Sequence, residues 1–352
     1  MPFHFESREF NPDILALLAE IDAFKDVWRS HGVIDPQRHS ALLRVSTVES
    51  IRSSARLEGA KLADTEVERI LDARETRTYQ SRAEAEAAGY AKVIETIVSN
   101  FDAIDFSEES IMRLHHHLLS CSVEDQGHRG AYRSLSNRVK AFDAEGREVG
   151  TIVETTTHFD TPRRMRELID WTRTALAEHS PHPLIAIAAF TAVFLDIRPF
   201  QRGNGPLSRA LATLLLLRGG YDYVAYSSLE GVFERRREGY DLALRQTQAT
   251  IRREKPNWQP WLLFFLRAVQ EQMHRLERRL RRERLARAWL PPLSLQIVNL
   301  AEDRDRLTIG DIVKLTGANH NTVKKHLSSL VENNFLARRG AGNNTWYTVA
   351  SH

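Results

Sequence analysis

The residues best placed to do chemistry form one polar, glycine-bearing segment between two apolar runs. It reads Asp196-Ile197-Arg198-Pro199-Phe200-Gln201-Arg202-Gly203-Asn204-Gly205-Pro206-Leu207-Ser208-Arg209. Gly203-Asn204-Gly205 stands just before a stretch with helical spacing. The unpaired amides of a helix N-terminus, together with the helix dipole, favour negative charge at such a place. Arg198, Arg202 and Arg209 add fixed positive charge. On the residues alone two readings stand side by side: a phosphate-binding nest, or a glycine turn with exposed arginines.

The elements that must hold this segment are overwhelmingly helical. Asn11-Pro12 is a helix start, and Ile14, Leu17, Leu18, Ile21, Phe24 and Trp28 keep helical spacing after it. Further helices are predicted over 37–56, 65–74, 81–100 and 108–120. Thr161-Pro162 repeats the start signal before a helix in which Leu168, Trp171 and Leu176 face inward, and helices over 182–196, 205–218, 231–248 and 257–288 follow. One β-hairpin is predicted between Arg133 and Thr157, where Val139, Ala141 and Phe142 are followed by the turn Asp143–Gly146 and then Val149, Ile152 and Val153. Pro291-Pro292 ends the long helix. Beyond it come helices at 293–302, 309–316 and 321–333, then two short β stretches around Gly340–Asn344.

Bulk composition sets the class. The 352 residues suggest two or three domains at roughly 150 residues each. With 42% hydrophobic and 27% charged residues, the chain has ordinary globular composition and enough apolar material for a sizeable core. A net charge of +3 excludes a polycation. Cys121 is the sole cysteine, which excludes an intramolecular disulfide and a cysteine-based zinc cluster and fits a reducing compartment. Residues 1–10 lack the pattern of a signal peptide. The longest apolar run, Leu184 to Leu195, is too short to cross a bilayer. The expectation is a cytoplasmic protein without a membrane span.

The segment from Arg198 to Arg209 resembles the signature motif of the Fic family, H-P-F-x-[DE]-G-N-G-R-x-x-R. Pro199, Phe200, Gly203, Asn204, Gly205 and Arg209 stand at matching positions. Gly130-Ala131-Tyr132-Arg133 is similar to the family's G-x-Y-R segment, and the predicted hairpin sits where the family has its substrate-positioning flap. Ser54-Ala55-Arg56-Leu57-Glu58-Gly59 resembles the inhibitory motif, [ST]-x-x-x-E-[GN]. The resemblance covers roughly residues 10–250 and implies a mainly α, Fic-type helical core with a small hairpin flap. It implies an activity as well, AMP transfer from ATP to a target hydroxyl. By the same resemblance Arg209 contacts a terminal phosphate and pairs with Glu58 in an autoinhibitory contact.

Three departures alter that expectation. The family's histidine, the base that takes the proton of the target hydroxyl, is Arg198 here. A guanidinium stays protonated and has no acceptor lone pair. Losing a positioned base forfeits roughly 10²–10⁴-fold in rate. The family's Mg²⁺-binding acid is Arg202, a cation that repels the metal, and the first motif arginine is Pro206, which has no donor. His115, His116 and His117 on the 108–120 helix, and His158 after the hairpin, are the alternative candidates for a base, against which the resemblance implies a packing role for a histidine in that helix. Glu58–Arg209 is then either a structural ion pair or a switch opened by an anion. Arg198 and Arg202 either hold a nucleotide, such as ATP, or another phosphorylated ligand without Mg²⁺, or ligand binding is lost.

Residues 291–352 resemble winged helix-turn-helix regulators. Ile309, Ile312, Val313 and Leu315 are expected to pack one helix; Val323, Leu327, Leu330 and Val331 the next. This leaves Asn321, Thr322, Lys324, Lys325, Ser328 and Ser329 outward, side chains suited to phosphates and base edges, with Arg338 and Arg339 before the wing tip. A protein–protein module of the same fold is the alternative. Arg275, Arg278, Arg279, Arg281, Arg282, Arg284 and Arg287 on the preceding helix are read either as a solvated face or as added phosphate contacts. The expected layout is an N-terminal helical domain at 1–105, the Fic core at 106–250, a connecting helix at 251–290 and the winged module at 291–352. The expected function is a DNA-binding or ligand-responsive regulator, homodimeric and deficient in AMP transfer. The alternatives are an adenylyltransferase autoinhibited by Glu58, or an interaction scaffold.

Overall fold

Asn11 opens the first helix as its sequence predicts: its side chain accepts the Asp13 amide at 3.0 Å, and Pro12 follows at the first helical position. The computed structural model describes residues 11–30, 36–72, 79, 81–135, 138–142, 148–154, 156–288, 290–302, 304, 306–340 and 342–350; for 36–38, 138–142, 148–154, 282–288, 302 and 343 it describes the backbone alone. The chain is mainly helical and divides into two units. One comprises residues 1–30 and 46–273; the other comprises 31–45 and 274–352.

In the larger unit, α1 (Pro12–Ser30), the C-terminal half of α2 (Pro36–Leu57), α3 (Asp64–Asp72), α4 (Arg82–Asn100) and α5 (Glu108–Leu118) precede the hairpin β1 (Arg138–Phe142) and β2 (Glu148–Glu154). The strands pair antiparallel, Arg138 opposite Glu154, with irregularities after Val139 and Ala141. The predicted turn, Asp143 to Gly146, lies outside the described residues. After it come α6 (Thr161–Glu178), α7 (Pro183–Ile197), α8 (Asn204–Arg218), a 3₁₀ turn (Asp222–Tyr226), α9 (Leu229–Arg235), α10 (Arg237–Gln248) and the first part of α11 (Gln259–Ala288). Helix α7 is the spine of this unit: every residue from Leu184 to Ile197 is buried. A helix apolar all round belongs in a core. Trp261 fixes it by donating from its indole N–H to the Ala188 carbonyl at 2.7 Å.

Two local expectations are corrected. The cap of α6 is Asp160 rather than Thr161, whose hydroxyl instead donates back to the Thr157 carbonyl at 2.8 Å. The helix predicted over 231–248 is two helices. Ser228 starts the first by accepting the Gly231 amide at 2.9 Å, and Arg236, at φ −110° and ψ 30°, leaves helical geometry between them.

The smaller unit has its own core of Ile297, Val298, Ala301, Leu307, Ile312, Val323, Leu327, Leu330, Leu336 and Tyr347. These come from α12 (Pro292–Glu302), α13 (Ile309–Thr316), α14 (His320–Glu332), β3 (Leu336–Arg339) and β4 (Trp346–Val349), with Leu307 bridged to Tyr347 as a third rung. Helix α13 opens with a capping box, Thr308 and Asp311 each satisfying the other's amide, and ends at Gly317 in the left-handed region. This is the order of helices and strands that the sequence of residues 291–352 predicts. Leu315 departs from expectation: it is 49% exposed. With Ile312 facing the core and Ile309 and Val313 partly buried to one side of it, the 100° helical step puts Leu315 on the other edge.

Candidate functional site

The signature loop is held from below by one arginine. Helix α7 ends where Arg198 enters the left-handed region at φ 47°, its amide bonded to the Phe194 carbonyl at 2.9 Å. For a residue with a side chain that conformation costs roughly 1 kcal/mol and needs support. Arg133 supplies it. Its amide donates to the Pro199 carbonyl (2.9 Å) and its Nε to the Arg198 carbonyl (2.8 Å). The rest of the guanidinium reaches the carbonyls of Leu135 (3.1 Å), Ile197 (3.4 Å) and Thr156. A cation is well placed against the C-terminal carbonyls of a helix. Burial pushes the Arg133 pKa down.

Phe200 anchors the loop's next step. Its ring is fully buried and stacks on His115, centroids 3.8 Å apart and planes within 12°. His115 Nδ1 accepts the Gly130 amide at 2.9 Å, so the proton sits on Nε2, which donates to the Arg202 carbonyl at 3.0 Å. Burial lowers the His115 pKa to about 4, so the neutral imidazole ties α5 to the loop and both its nitrogens are engaged. The packing role read for this histidine thus acquires a geometry.

Gly203, at φ 74°, caps α8. Asn204 closes the loop on itself: its Oδ1 accepts the Phe200 amide (3.0 Å) and its Nδ2 donates to the Phe200 carbonyl (2.7 Å). The Asn204 side chain is therefore committed to the loop. What it offers an anion is the backbone at the start of α8, where Asn204 and Gly205 carry N–H groups and Pro206 carries none.

Glu58 sits over that start. A Cβ at Gly205 would lie 2.4 Å from Glu58 Oε1. That oxygen accepts from Arg209 Nη2 at 2.9 Å, and the same nitrogen donates to Ser54 Oγ at 2.9 Å. Arg209 is 4% exposed and Glu58 41%. Burial works against the Arg209 charge, but Glu58 and the tyrosine hydroxyls nearby outweigh it, and the pKa rises. Arg209 Nε is buried without a partner. Gly59 follows at φ 91° in the turn that leaves α2. Ser54, Glu58, Gly205 and Arg209 thus meet, as the motifs imply.

Above them is a cavity of about 350 Å³ lined by Ser54 of α2 and Glu58 in the turn after it, from α4 by Arg82 and Tyr90, and from the loop by Arg198 and Arg202. Arg202 is half exposed, and its Nε lies 3.8 Å from Asp125. That buried carboxylate also accepts the Ser122 hydroxyl at 2.6 Å and lies 3.6 Å from Arg82 and 3.2 Å from His128. Among the described residues no group of three or more His, Cys, Asp or Glu side chains could hold a metal ion. With arginine at the acidic position, the loop does not fit Mg²⁺. The sequence did not single out Asp125, Arg82 or Tyr90, because nothing in local spacing links them to residue 202.

In the smaller unit, Asn321, Thr322, Lys324, Lys325, Ser328 and Ser329 are exposed on α14, while Val323, Leu327 and Leu330 are buried. Arg338 and Arg339 are exposed on β3. Arg306, not singled out beforehand, lies over the Trp346 ring at 5.6 Å. Of the arginine run on α11, the side chains of Arg282, Arg284 and Arg287 lie outside the described residues; Leu276, within the run, is buried. No helix among the described residues is long and apolar enough to cross a membrane.

Comparison with known proteins agrees with this geometry. Residues 105–216 match the Fic/DOC family model. A Fic family protein from Desulfovibrio desulfuricans G20 is similar along 99% of both chains, at 21% identity and a TM-score of 0.63. A Fic domain containing signaling protein from Bacteroides thetaiotaomicron is similar over 75% of this chain and 93% of its own, at 18% identity and a TM-score of 0.55. Fic-1 from C. elegans is similar over 77% and 73%, at 15% identity and a TM-score of 0.60. A search of curated proteins returned no match. From the loop that Arg133 and His115 support to the helices around it, residues 105–216 of this chain are a Fic/DOC family domain.

Proposed function

We propose that this chain is a ligand-responsive, DNA-binding regulator whose Fic/DOC domain binds a phosphorylated ligand and does not transfer AMP by the family's usual route. The observation that carries the reading is the split in the loop. Arg198 stands where a base is needed and offers no lone pair, while the Gly203–Gly205 backbone and Arg209 stay arranged for an anion. Glu58 occupies the anion's seat with a carboxylate of the chain's own. An ATP-like nucleotide or another phosphorylated metabolite displaces it, with Arg198 and Arg202 supplying the charge that Mg²⁺ supplies elsewhere. The exposed face of α14 and Arg338 and Arg339 suit a DNA major groove and its flanking phosphates. Two half-sites would call for a homodimer.

Titration calorimetry with ATP, ADP and other phosphorylated metabolites, with and without Mg²⁺, tests the ligand site. Binding is expected to be tighter for Glu58→Gly and indifferent to Mg²⁺; no binding by either protein ends the ligand reading. Mobility shift with DNA from around its own gene, lost in Lys324→Ala/Lys325→Ala, tests the regulator. A second reading rests on the retained Glu58–Arg209 contact: an adenylyltransferase held off by Glu58 and using an unusual base. Transfer of labelled AMP by Glu58→Gly to itself or to lysate proteins would establish that reading instead.

A further inference from the structure

Arg202 is held at both its backbone and its head group. Its carbonyl accepts from His115 Nε2 at 3.0 Å, and its guanidinium Nε lies 3.8 Å from Asp125 Oδ1. Both tethers come from one stretch, α5 and the loop after it. That loop is braced: the Ser122 hydroxyl donates to Asp125 Oδ2 at 2.6 Å, Arg129 donates to the Ser122 carbonyl, and the Gly130 amide donates to His115 at 2.9 Å. Asp125 is 1% exposed, and a carboxylate so buried needs cations. Arg82 is already shared. Its Nε meets Glu86 at 2.7 Å and its Nη1 meets Glu124 at 3.0 Å, which leaves Nη2 at 3.6 Å from Asp125. His128, at 3.2 Å, carries charge only when protonated. Arg202 supplies a permanent charge committed to no other carboxylate: among the described residues Asp125 is the one acid within 4 Å of it.

A tether at Nε leaves the two Nη groups. Among the described residues they have no hydrogen-bond partner, and Arg202 lines the cavity above the start of α8. Guanidinium is a planar fork whose edges serve two partners at once. An arginine held before the ligand arrives also loses less freedom when it binds. We infer that Asp125 is a positioning residue: it holds Arg202 so that one guanidinium bridges a protein carboxylate and a ligand phosphate, the task of the metal ion where the motif keeps its acid. The inference rests on the phosphorylated-ligand reading above and narrows the ligand. The seat at Gly205 and Arg209 takes one anionic group, as it takes the Glu58 carboxylate. Arg202 is a second station beside it. Compounds with two linked phosphates, free of metal, are therefore preferred to those with one.

The test uses the full chain carrying Glu58→Gly, which removes the competing carboxylate, titrated calorimetrically with orthophosphate and with pyrophosphate in the presence of a metal chelator. Pyrophosphate is expected to bind the more tightly. Adding Asp125→Asn should weaken pyrophosphate about tenfold and orthophosphate much less, so that the preference shrinks. Arg202→Ala should do the same, and the two changes together no more than Arg202→Ala alone, because Asp125 acts through Arg202. Arg202→Lys keeps the charge but offers a point where the fork had two edges, and should lose the preference as well. Circular dichroism and the melting temperature verify that each variant is folded. Equal weakening of both anions by Asp125→Asn marks a merely structural role and overturns the inference. A full pyrophosphate preference in folded Asp125→Asn, or in Arg202→Lys should Asp125→Asn not fold, overturns it too and leaves the ligand reading standing. Failure of the Glu58→Gly chain to bind either anion overturns both.

Discussion

At Glu58 and Arg209 the two partners of one ion pair live in different solvents. Arg209 is almost wholly buried, whereas Glu58 keeps two-fifths of its surface in water. Water screens the pair from one side, so its net worth is about 1 kcal/mol. The two deletions differ, however. Without Glu58 a buried cation loses its carboxylate and keeps hydroxyl partners such as Ser54 and Tyr240; without Arg209 the carboxylate is simply hydrated. Glu58→Gly is expected to lower the melting temperature, and orthophosphate or a nucleotide to raise it more in that variant than in wild type. Thermal shift measures both. Gly205 belongs to the same contact. Gly205→Ala places a methyl group against the Glu58 carboxylate and should cost about 1–3 kcal/mol, most of which vanishes in a Glu58→Gly background; a double-mutant cycle by urea unfolding reads the coupling. These four positions were legible in the sequence because the motifs name them. Arg133 was legible only as a residue type in a familiar segment. Its grip on the carbonyls of Arg198, Ile197 and Thr156 joins positions 23 to 65 residues apart, which no local pattern reports.

At the scale of elements, the loop between α7 and α8 is a bracket whose fasteners lie on other elements: Arg133 and, from α5, His115. His115 gives that bracket a pH dependence. Its folded pKa, about 4, lies below its ordinary 6.5 because burial disfavours the charged ring. The unfolded chain therefore takes up a proton first as pH falls. The contribution is fully present above about pH 6.5 and is lost progressively toward pH 4, amounting to about 3 kcal/mol. Urea midpoints measured from pH 7.5 to 4.5 should fall more steeply for wild type than for His115→Gln. The spacing rules found nearly every helix here, since apolar periodicity is strong along α1, α4 and α5. They missed the break at Arg236, which lies in a charged run, Glu234 to Glu238, that holds neither glycine nor proline to mark a helix end. They also misjudged Leu315, because an eight-residue helix packed on one side leaves a narrow stripe and one leucine beyond its edge.

For the whole molecule, the proposed regulator makes a thermodynamic demand. If a phosphorylated ligand changes DNA affinity by some factor, DNA must change ligand affinity by the same factor. Calorimetric ligand titrations with and without saturating duplex, set beside DNA titrations with and without ligand, should give equal ratios; a ligand that leaves DNA affinity untouched would remove the regulatory link between the two activities. The proline pair at 291–292 suggested a boundary there, whereas the smaller unit begins at residue 274, and its core includes Ile297, Leu307, Val323, Leu336 and Tyr347. Composition was silent on residues 36–45, which group with the smaller unit although they lie far away in sequence. Such membership is set by tertiary packing alone.

Asn204-Gly205 is the chain's sole Asn-Gly dipeptide, a sequence that deamidates when the glycine nitrogen is free to attack the asparagine side chain. Here both ends of that side chain are held by Phe200, and the peptide lies in the first turn of α8. The native loop therefore shields its own most perishable bond, and each excursion into an unfolded state exposes it. Deamidation at Asn204 becomes a chemical record of unfolding. Peptide mapping by mass spectrometry should find it accumulating in protein aged in mild denaturant and scarce in protein aged in native buffer. A molecule so marked has lost the amide donor that closed the loop, and its signature segment should not reset when the denaturant is removed.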